Sequence, residues 1–213
     1  HFVLPTYEVT VHSTGDSTLP EPGVPMTWPR YRSRDLSALG NWDDYLGLFE
    51  YPAARGPFVG VYDRAYNAGG VRIYPPRVAR GSKLFGLGWK EPLSSDYFTD
   101  DGTAYVELHG GLAPTFFEQT ELAGKESVGW RESWYPIQGI GDLTFANELV
   151  AIHLRHEEGT LTVGLYPVLP LEGTLIIEKA GNELSRQAVQ ATPETALNAV
   201  ISVSYTHLRA HET

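Results

Sequence analysis

The chain has 213 residues, 42% of them apolar, enough to bury a proper core, so the composition argues against disorder over most of its length. Its 16 basic and 26 acidic side chains leave a formal charge of −10, which repels phosphate backbones and anionic lipid surfaces alike and excludes nucleic acid and membrane as expected partners. The absence of cysteine removes disulfides, thiol catalysis and cysteine-ligated zinc, and no run approaches the roughly 18 apolar residues of a membrane-spanning helix.

The sequence opens at His1 without a basic-then-apolar leader, and its single methionine is Met26, which is what a reading frame beginning downstream of its initiation site would show. Its 22 glycines and 15 prolines are scattered between short apolar runs, the punctuation of an all-β protein, because both residues break helices and set turns. From Thr14 to Pro29 the prolines Pro20, Pro22, Pro25 and Pro29 describe an extended surface connection whose aromatic end, Trp28, argues for docking.

From Phe58 the pattern tightens. Strands are predicted over Phe58 to Tyr62, Gly70 to Tyr74, Lys83 to Leu87, Ala104 to His109, Thr115 to Leu122 and Ser127 to Tyr135, with turns at Asp100-Asp101-Gly102 and Ala123-Gly124-Lys125. After Gly139-Ile140-Gly141 a helical turn is expected through Asn147. Val150, Ile152 and Leu154 then alternate with Ala151, His153 and Arg155 as a half-buried strand, and Leu161, Val163 and Leu165 repeat the pattern. Strands over Gly173 to Glu178 and Ala199 to Val203 follow, with turns at Gly159 and Gly181-Asn182.

This spacing predicts an all-β fold built as an antiparallel β-sandwich, with a first domain over residues 1–157 and the opening strands of a second sandwich over 158–203. Residues 204–213 turn abruptly polar and basic and resemble a translated sequencing-adapter tail, so His207 and His211 are expected to carry no function.

The densest chemistry lies in Tyr105-Val106-Glu107-Leu108-His109-Gly110-Gly111. Strand side chains alternate, so Tyr105, Glu107 and His109 share one face, aligning a phenol, a carboxylate and an imidazole able to exchange protons near neutral pH. The competing reading is the outward polar face of an amphipathic strand. In Trp130-Arg131-Glu132-Ser133-Trp134 a strand would likewise bring Trp130, Glu132 and Trp134 to one side. Indoles stack on the apolar C–H faces of pyranose rings while a carboxylate binds hydroxyls, so this trio suits a saccharide. Alternatively both tryptophans fill the core and Glu132 pairs with a buried arginine across the sheet.

Were Glu107 and Glu132 to meet, they would form the carboxylate pair of a glycosidase, whose spacing decides its stereochemistry. Tyr62 and Arg64, with Trp89, sit at strand ends, where loops furnish ligand contacts or simply meet solvent. No metal or cofactor is expected. Asp100-Asp101-Gly102 lacks the further acids of a calcium loop, and His153 and His156 are not in the helical zinc-protease spacing. Gly139-Ile140-Gly141 lacks the third glycine of a phosphate loop, and no Gly-x-Ser-x-Gly occurs.

The ordered runs Val11-His12-Ser13-Thr14-Gly15-Asp16, Ala79-Arg80-Gly81-Ser82-Lys83-Leu84-Phe85-Gly86, Tyr97-Phe98-Thr99-Asp100-Asp101-Gly102, Tyr105 to Gly111, and Glu132-Ser133-Trp134-Tyr135-Pro136-Ile137 resemble a bacterial domain of unknown function. That domain is often found ahead of tetratricopeptide repeats and is similar in architecture to galactose mutarotase. The likeness covers about residues 1–155. It implies a β-supersandwich, of which residues 1–157 would be the C-terminal part, the N-terminal half lying outside this chain, and repeats as downstream neighbours. Aldose epimerases, sugar-binding domains and accessory domains of glycoside hydrolases share that fold. Mutarotases use a glutamate base and histidine acids; Glu107 and His109 have that chemistry but do not align onto the catalytic motif.

The leading expectation is therefore a carbohydrate-binding domain of a larger bacterial protein, taking a mono- or oligosaccharide. Glu107, His109 and Glu132 are its candidate catalytic or hydroxyl-binding groups, and Tyr105, Trp130, Trp134, Tyr62 and Arg64 its candidate sugar contacts. The alternatives are a sugar epimerase or glycosidase using Glu107 or Glu132, and a non-catalytic scaffold beside repeats.

Overall fold

The structure is a computed structural model and describes residues 1–52, 54–87, 97–101, 103 and 105–203. The chain is all-β. Its strands are β1 (Phe2–Val3), β2 (Glu8–Thr14), β3 (Pro25–Thr27), β4 (Arg30–Tyr31), β5 (Arg34–Asp35), β6 (Leu46–Phe49), β7 (Phe58–Asp63), β8 (Ala68–Ile73), β9 (Lys83–Leu87), β10 (Tyr105–His109), β11 (Ser133–Gln138), β12 (Phe145–Ala146), β13 (Val150–Glu157), β14 (Thr160–Pro167), β15 (Leu171–Lys179), β16 (Asn182–Ala191) and β17 (Leu197–Ser202). A single 3-10 turn at Leu39–Asn41 is the helical element among the described residues, so none is long and apolar enough to cross a membrane.

The chain divides into two compact units, one of residues 1–60 and 72–134, the other of 61–71 and 135–213. Strands β1, β7, β8 and β11 form a four-stranded sheet in the order β1-β7-β8-β11.

The first unit is organised by a five-stranded antiparallel sheet in the order β10-β9-β6-β2-β3. Its buried face alternates as a pleated strand must: Val9 and Val11 on β2, Leu46 and Leu48 on β6 and Leu84 on β9 are all excluded from solvent. Trp28 and Met26 join this core, so the proline-rich connection does end in a docked aromatic side chain. Two of the central strands, β2 and β6, lie upstream of Phe58, where the sequence reading placed none.

The second unit carries a four-stranded sheet in the order β12-β13-β14-β17 and a two-stranded ribbon of β15 and β16. The alternating apolar residues of β13 and β14 face each other in register, Ile152 opposite Leu165 and Leu154 opposite Val163. Glu158 and Gly159 make the turn between them with positive φ of 45° and 78°, the left-handed conformation that a tight hairpin asks for.

Three predicted elements differ. Thr115 to Leu122 is not a strand: the Thr115 hydroxyl accepts the Phe117 amide at 3.1 Å, a local turn that competes with sheet pairing. Ser127 to Glu132 is also irregular, and the strand begins only at Ser133. The expected helical turn before Asn147 is replaced by β12, because the Thr144 amide donates to the Ile152 carbonyl at 2.8 Å and draws Phe145 and Ala146 onto β13. Gly102, Ala104, Trp89 and the polar tail from 204 to 213 lie outside the described residues.

Candidate functional site

The first unit concentrates charge where composition alone would place none. Arg72 lies on β8 between Val71 and Ile73, and its side chain has 0% exposure. A guanidinium is tolerated there because its donors are satisfied: Nε and Nη2 donate to the two carboxylate oxygens of Glu132 at 2.8 and 2.6 Å, and Nη1 donates to the Ser82 hydroxyl at 3.0 Å. The planar group also lies 4.3 Å over the Tyr74 ring and 5.8 Å from that of Trp134. Gly110 makes room for it, since a Cβ at that position would strike the guanidinium.

Glu132 is thereby fixed as a carboxylate. The Arg72 hydrogen bonds hold its carboxyl below the usual range, with burial opposing and the Trp130 hydrogen bond assisting. Trp130 Nε1 donates to Glu132 Oε1 at 2.8 Å, yet the Trp130 side chain is 41% exposed and Trp134 is 56% exposed. The core reading of this segment holds for the glutamate and not for the tryptophans. Glu132 does pair with a buried arginine, while the indoles stay outside the core.

Next to Arg72 sits a carboxyl that sequence reasoning missed. Glu50 follows β6, is buried, and accepts the Tyr74 hydroxyl at 2.5 Å. Burial pushes its carboxyl up to about 7, against the opposing hydrogen bonds of Tyr74 and Ser82 and the charge of Arg72. Tyr74 moves upward as well, first from burial and then from the neighbouring Glu50 charge. Glu50 Oε1 has no hydrogen-bond partner among the described residues.

The register of the five-stranded sheet assembles the rest. Phe49, Lys83 and His109 are cross-strand neighbours in one row, and Gly47, Phe85 and Glu107 form the row beside it, so both rows lie on the same face. The pairing of β2 with β6 steps between Val11 and Ser13, leaving His12 outside the ladder as a bulge. The bulge turns the imidazole among rings, edge-on to Phe49 at 5.2 Å, Phe85 at 5.0 Å and Phe116 at 5.1 Å. Gly47 is the gap that admits it, because a Cβ there would meet the Phe85 ring and His12 Nδ1.

Lys83 is buried, and its ammonium donates to the carbonyls of Gly81 at 3.0 Å and Ala113 at 3.3 Å. The rings of Phe116 and Phe49 lie 5.1 and 5.8 Å from Nζ. No carboxylate pairs with it among the described residues. Burial, then the charge of Arg72, lowers its pKa. His109 stacks on Phe85 at 5.5 Å and is likewise lowered, chiefly by burial, with Glu107 raising it and Lys83 and Arg72 lowering it further. Its Nε2 is 3.5 Å from Glu107 Oε2 but makes no hydrogen bond. His12 is lowered by burial and then by His109.

The structure therefore brings Glu107 and His109 onto one strand face with Tyr105, whose pKa the Glu107 charge raises, and places Glu132, Trp130 and Trp134 around Arg72. Tyr62 and Arg64 belong to the second unit and are engaged there. Tyr62 is buried, its hydroxyl donating to Asn67 Oδ1 at 2.7 Å and accepting the amides of Ile140 at 3.2 Å and Gly141 at 3.1 Å. Arg64 pairs with Asp142 at 2.6 Å. The Tyr62 hydroxyl is thus committed within its own unit, whereas the Arg64 side chain, paired with Asp142, remains 61% exposed. Predicted contact Trp89 lies outside the described residues.

The signal that could have found Arg72, Glu50 and Lys83 is a charge inside or abutting an apolar strand: Val71-Arg72-Ile73, Leu46-Gly47-Leu48-Phe49-Glu50 and Lys83-Leu84-Phe85. No family model matches the chain, and no solved structure matches it at a significant level.

Proposed function

We propose that the first unit binds a saccharide, on the surface where Trp130 and Trp134 flank Glu132. One observation carries this reading: a carboxylate locked by two hydrogen bonds from a fully buried arginine, with a partly exposed indole donating to the same carboxylate. Such a group is ready to accept sugar hydroxyls without reorganising, and exposed indole faces offer stacking for the C–H side of a pyranose. The resemblance of the sequence motifs to a mutarotase-like bacterial domain found ahead of tetratricopeptide repeats favours the same class of ligand, and would make the chain part of a larger protein.

A glycosidase or epimerase in which Glu132 donates a proton fits less well, since Arg72 stabilises the ionised form. Glu50, pushed up to about 7 and bonded to Tyr74, is the better proton-exchanging group, and it favours catalysis as the second reading. Titration of the chain against a broad glycan panel, with tryptophan fluorescence as the readout, tests the proposal. Binding that is lost in Trp134→Ala while the unfolding transition is retained supports it, and a panel with no bound sugar removes it. Turnover of a bound sugar that is abolished by Glu50→Gln would establish the second reading.

A further inference from the structure

Glu50 is a buried group that saccharide binding alone leaves unexplained. Of its two carboxyl oxygens, Oε2 accepts the Tyr74 hydroxyl, while Oε1 has no hydrogen-bond partner among the described residues. A buried polar atom left unpaired is costly and calls for a reason. Arg72 and Tyr74 face the carboxyl from β8 and the residue after it, and Ser82 faces it from just ahead of β9, where the Ser82 carbonyl accepts the Glu50 amide at 2.9 Å. Lys83 and His109 share a row with Phe49, the residue before Glu50, and so lie on the other face of the sheet, as does the His12 imidazole.

The same neighbours lead to the surface of Trp130 and Trp134. Arg72, whose charge acts on Glu50, donates to the Ser82 hydroxyl and to both oxygens of Glu132, and Glu132 in turn accepts the Trp130 indole N–H. Glu50, Arg72, Glu132 and Trp130 all belong to the first unit. A guanidinium has five N–H groups. Three are used on Glu132 and Ser82, and the remainder have no acceptor among the described residues. While Glu50 carries a proton, no second anion competes with Glu132 for the arginine. Once ionised, it is a second carboxylate beside the same cation, with Oε1 able to accept an unused N–H, and the grip on Glu132 is shared. Burial places this change at about 7, whereas Glu132, held below the usual range, stays ionised throughout.

Resting on the saccharide reading, we infer that Glu50 is a positioning residue for the surface of Trp130, Glu132 and Trp134. Its proton decides whether Arg72 is committed to Glu132 or shared with Glu50, so the surface takes a saccharide tightly when Glu50 is protonated and weakly when it is ionised. The coupling is reciprocal, so a bound saccharide raises the affinity of Glu50 for its proton.

The test follows two quantities between about pH 5.5 and about pH 8.5: saccharide affinity by tryptophan fluorescence, and the indole N–H resonance of Trp130 in the unliganded chain. Affinity is expected to fall by about fivefold or more across this range, the lower end of ordinary coupling between two sites. The Trp130 resonance should move with a midpoint of about 7. Glu50→Gln, which has no proton to release, should hold the affinity of the acid limb and a fixed resonance throughout, while histidines titrating in this range contribute equally to both proteins. Tyr74→Phe removes a hydrogen bond that favours the ionised carboxyl, so its midpoint should move upward, a response that a merely structural role of Glu50 would not give. Flat profiles in the unsubstituted chain, or the same profiles in Glu50→Gln, overturn the inference while the saccharide proposal stands. Failure of every sugar at every pH defeats the saccharide proposal itself. The indole resonance then decides alone: a titration lost in Glu50→Gln keeps the role of Glu50, and an unmoved resonance removes it.

Discussion

Arg72 grips Glu132 through two parallel hydrogen bonds of 2.8 and 2.6 Å across a sequence separation of 60 residues, with the arginine wholly buried and the glutamate partly open to solvent. The asymmetry in burial predicts an asymmetry in cost. Glu132→Leu strands a fully buried guanidinium and is expected to destabilise the chain by about 3–5 kcal/mol. Arg72→Met leaves a carboxylate that can turn toward water, so its charge penalty should be smaller. The double variant should recover part of the Glu132→Leu loss, and urea unfolding of the four proteins in a double-mutant cycle measures the coupling. Additive single losses would show that the pair contributes no coupling.

Glu50 gives the fold a pH dependence of definite sign. Its folded value of about 7 lies above the ordinary 4.5, so the folded chain binds this proton more tightly than the unfolded chain does. The resulting stabilisation is complete below 4.5 and is lost as the pH rises through 7. Between about pH 4 and about pH 8 the wild type should therefore lose about 3 kcal/mol relative to Glu50→Gln, which has no proton to release. Urea unfolding at a series of pH values checks this as a difference between the two proteins, which cancels the opposing contributions of Glu132 and Asp16. Parallel pH profiles would contradict the perturbed carboxyl.

Legibility in the sequence follows the range of the interactions. Lys83–Leu87 was predicted with its observed bounds because an apolar run set off by Gly81 and Ser82 is a local signal, and the same holds for the facing of Glu107 with His109 on β10. The Glu158-Gly159 turn is a break in pattern that the sequence does mark, and in the structure it joins β13 to β14 as a hairpin within one sheet. Thr115 to Leu122 misled because Thr115, Phe116 and Phe117 are residue types that favour strands, while the Thr115 side chain binds its own backbone two residues on. Arg72, Glu50 and Lys83 went unselected for a different reason. Each is an ordinary charged residue until the fold encloses it, and enclosure depends on partners far along the chain, Glu132 for Arg72 and Ala113 for Lys83.

Glycine positions around the site offer a sharper contrast. A Cβ at Gly110 would collide with the Arg72 guanidinium, which is normally the yielding end of a flexible side chain but here is pinned by Glu132 and Ser82. Gly110→Ala is expected to destabilise the chain by about 1–3 kcal/mol and to disturb the Glu132 carboxylate that Arg72 positions. Gly129 has nothing within 4 Å of such a Cβ, so Gly129→Ala should be neutral or gain up to about 1 kcal/mol through a less flexible unfolded chain. Thermal unfolding of both variants decides the matter, and equal shifts would mean that Arg72 is free to move aside.

Tyr62 tests whether the second unit takes part in binding. Its hydroxyl accepts the Ile140 amide at 3.2 Å and the Gly141 amide at 3.1 Å, and it donates to Asn67 Oδ1 at 2.7 Å. Gly141 keeps a second acceptor in Asn67 Oδ1 at 2.9 Å, whereas no other acceptor is seen for the Ile140 amide among the described residues. Tyr62→Phe, which keeps the packed ring and removes only the hydroxyl, is therefore expected to cost about 1–3 kcal/mol. Amide exchange should quicken at Ile140 more than at Gly141, because only the former loses its acceptor. Sugar affinity of the folded variant should match the wild type, since the hydroxyl is committed to the backbone of its own unit. A variant with unchanged exchange and weakened sugar binding would instead return Tyr62 to the ligand-contacting role that its place at a strand end first suggested.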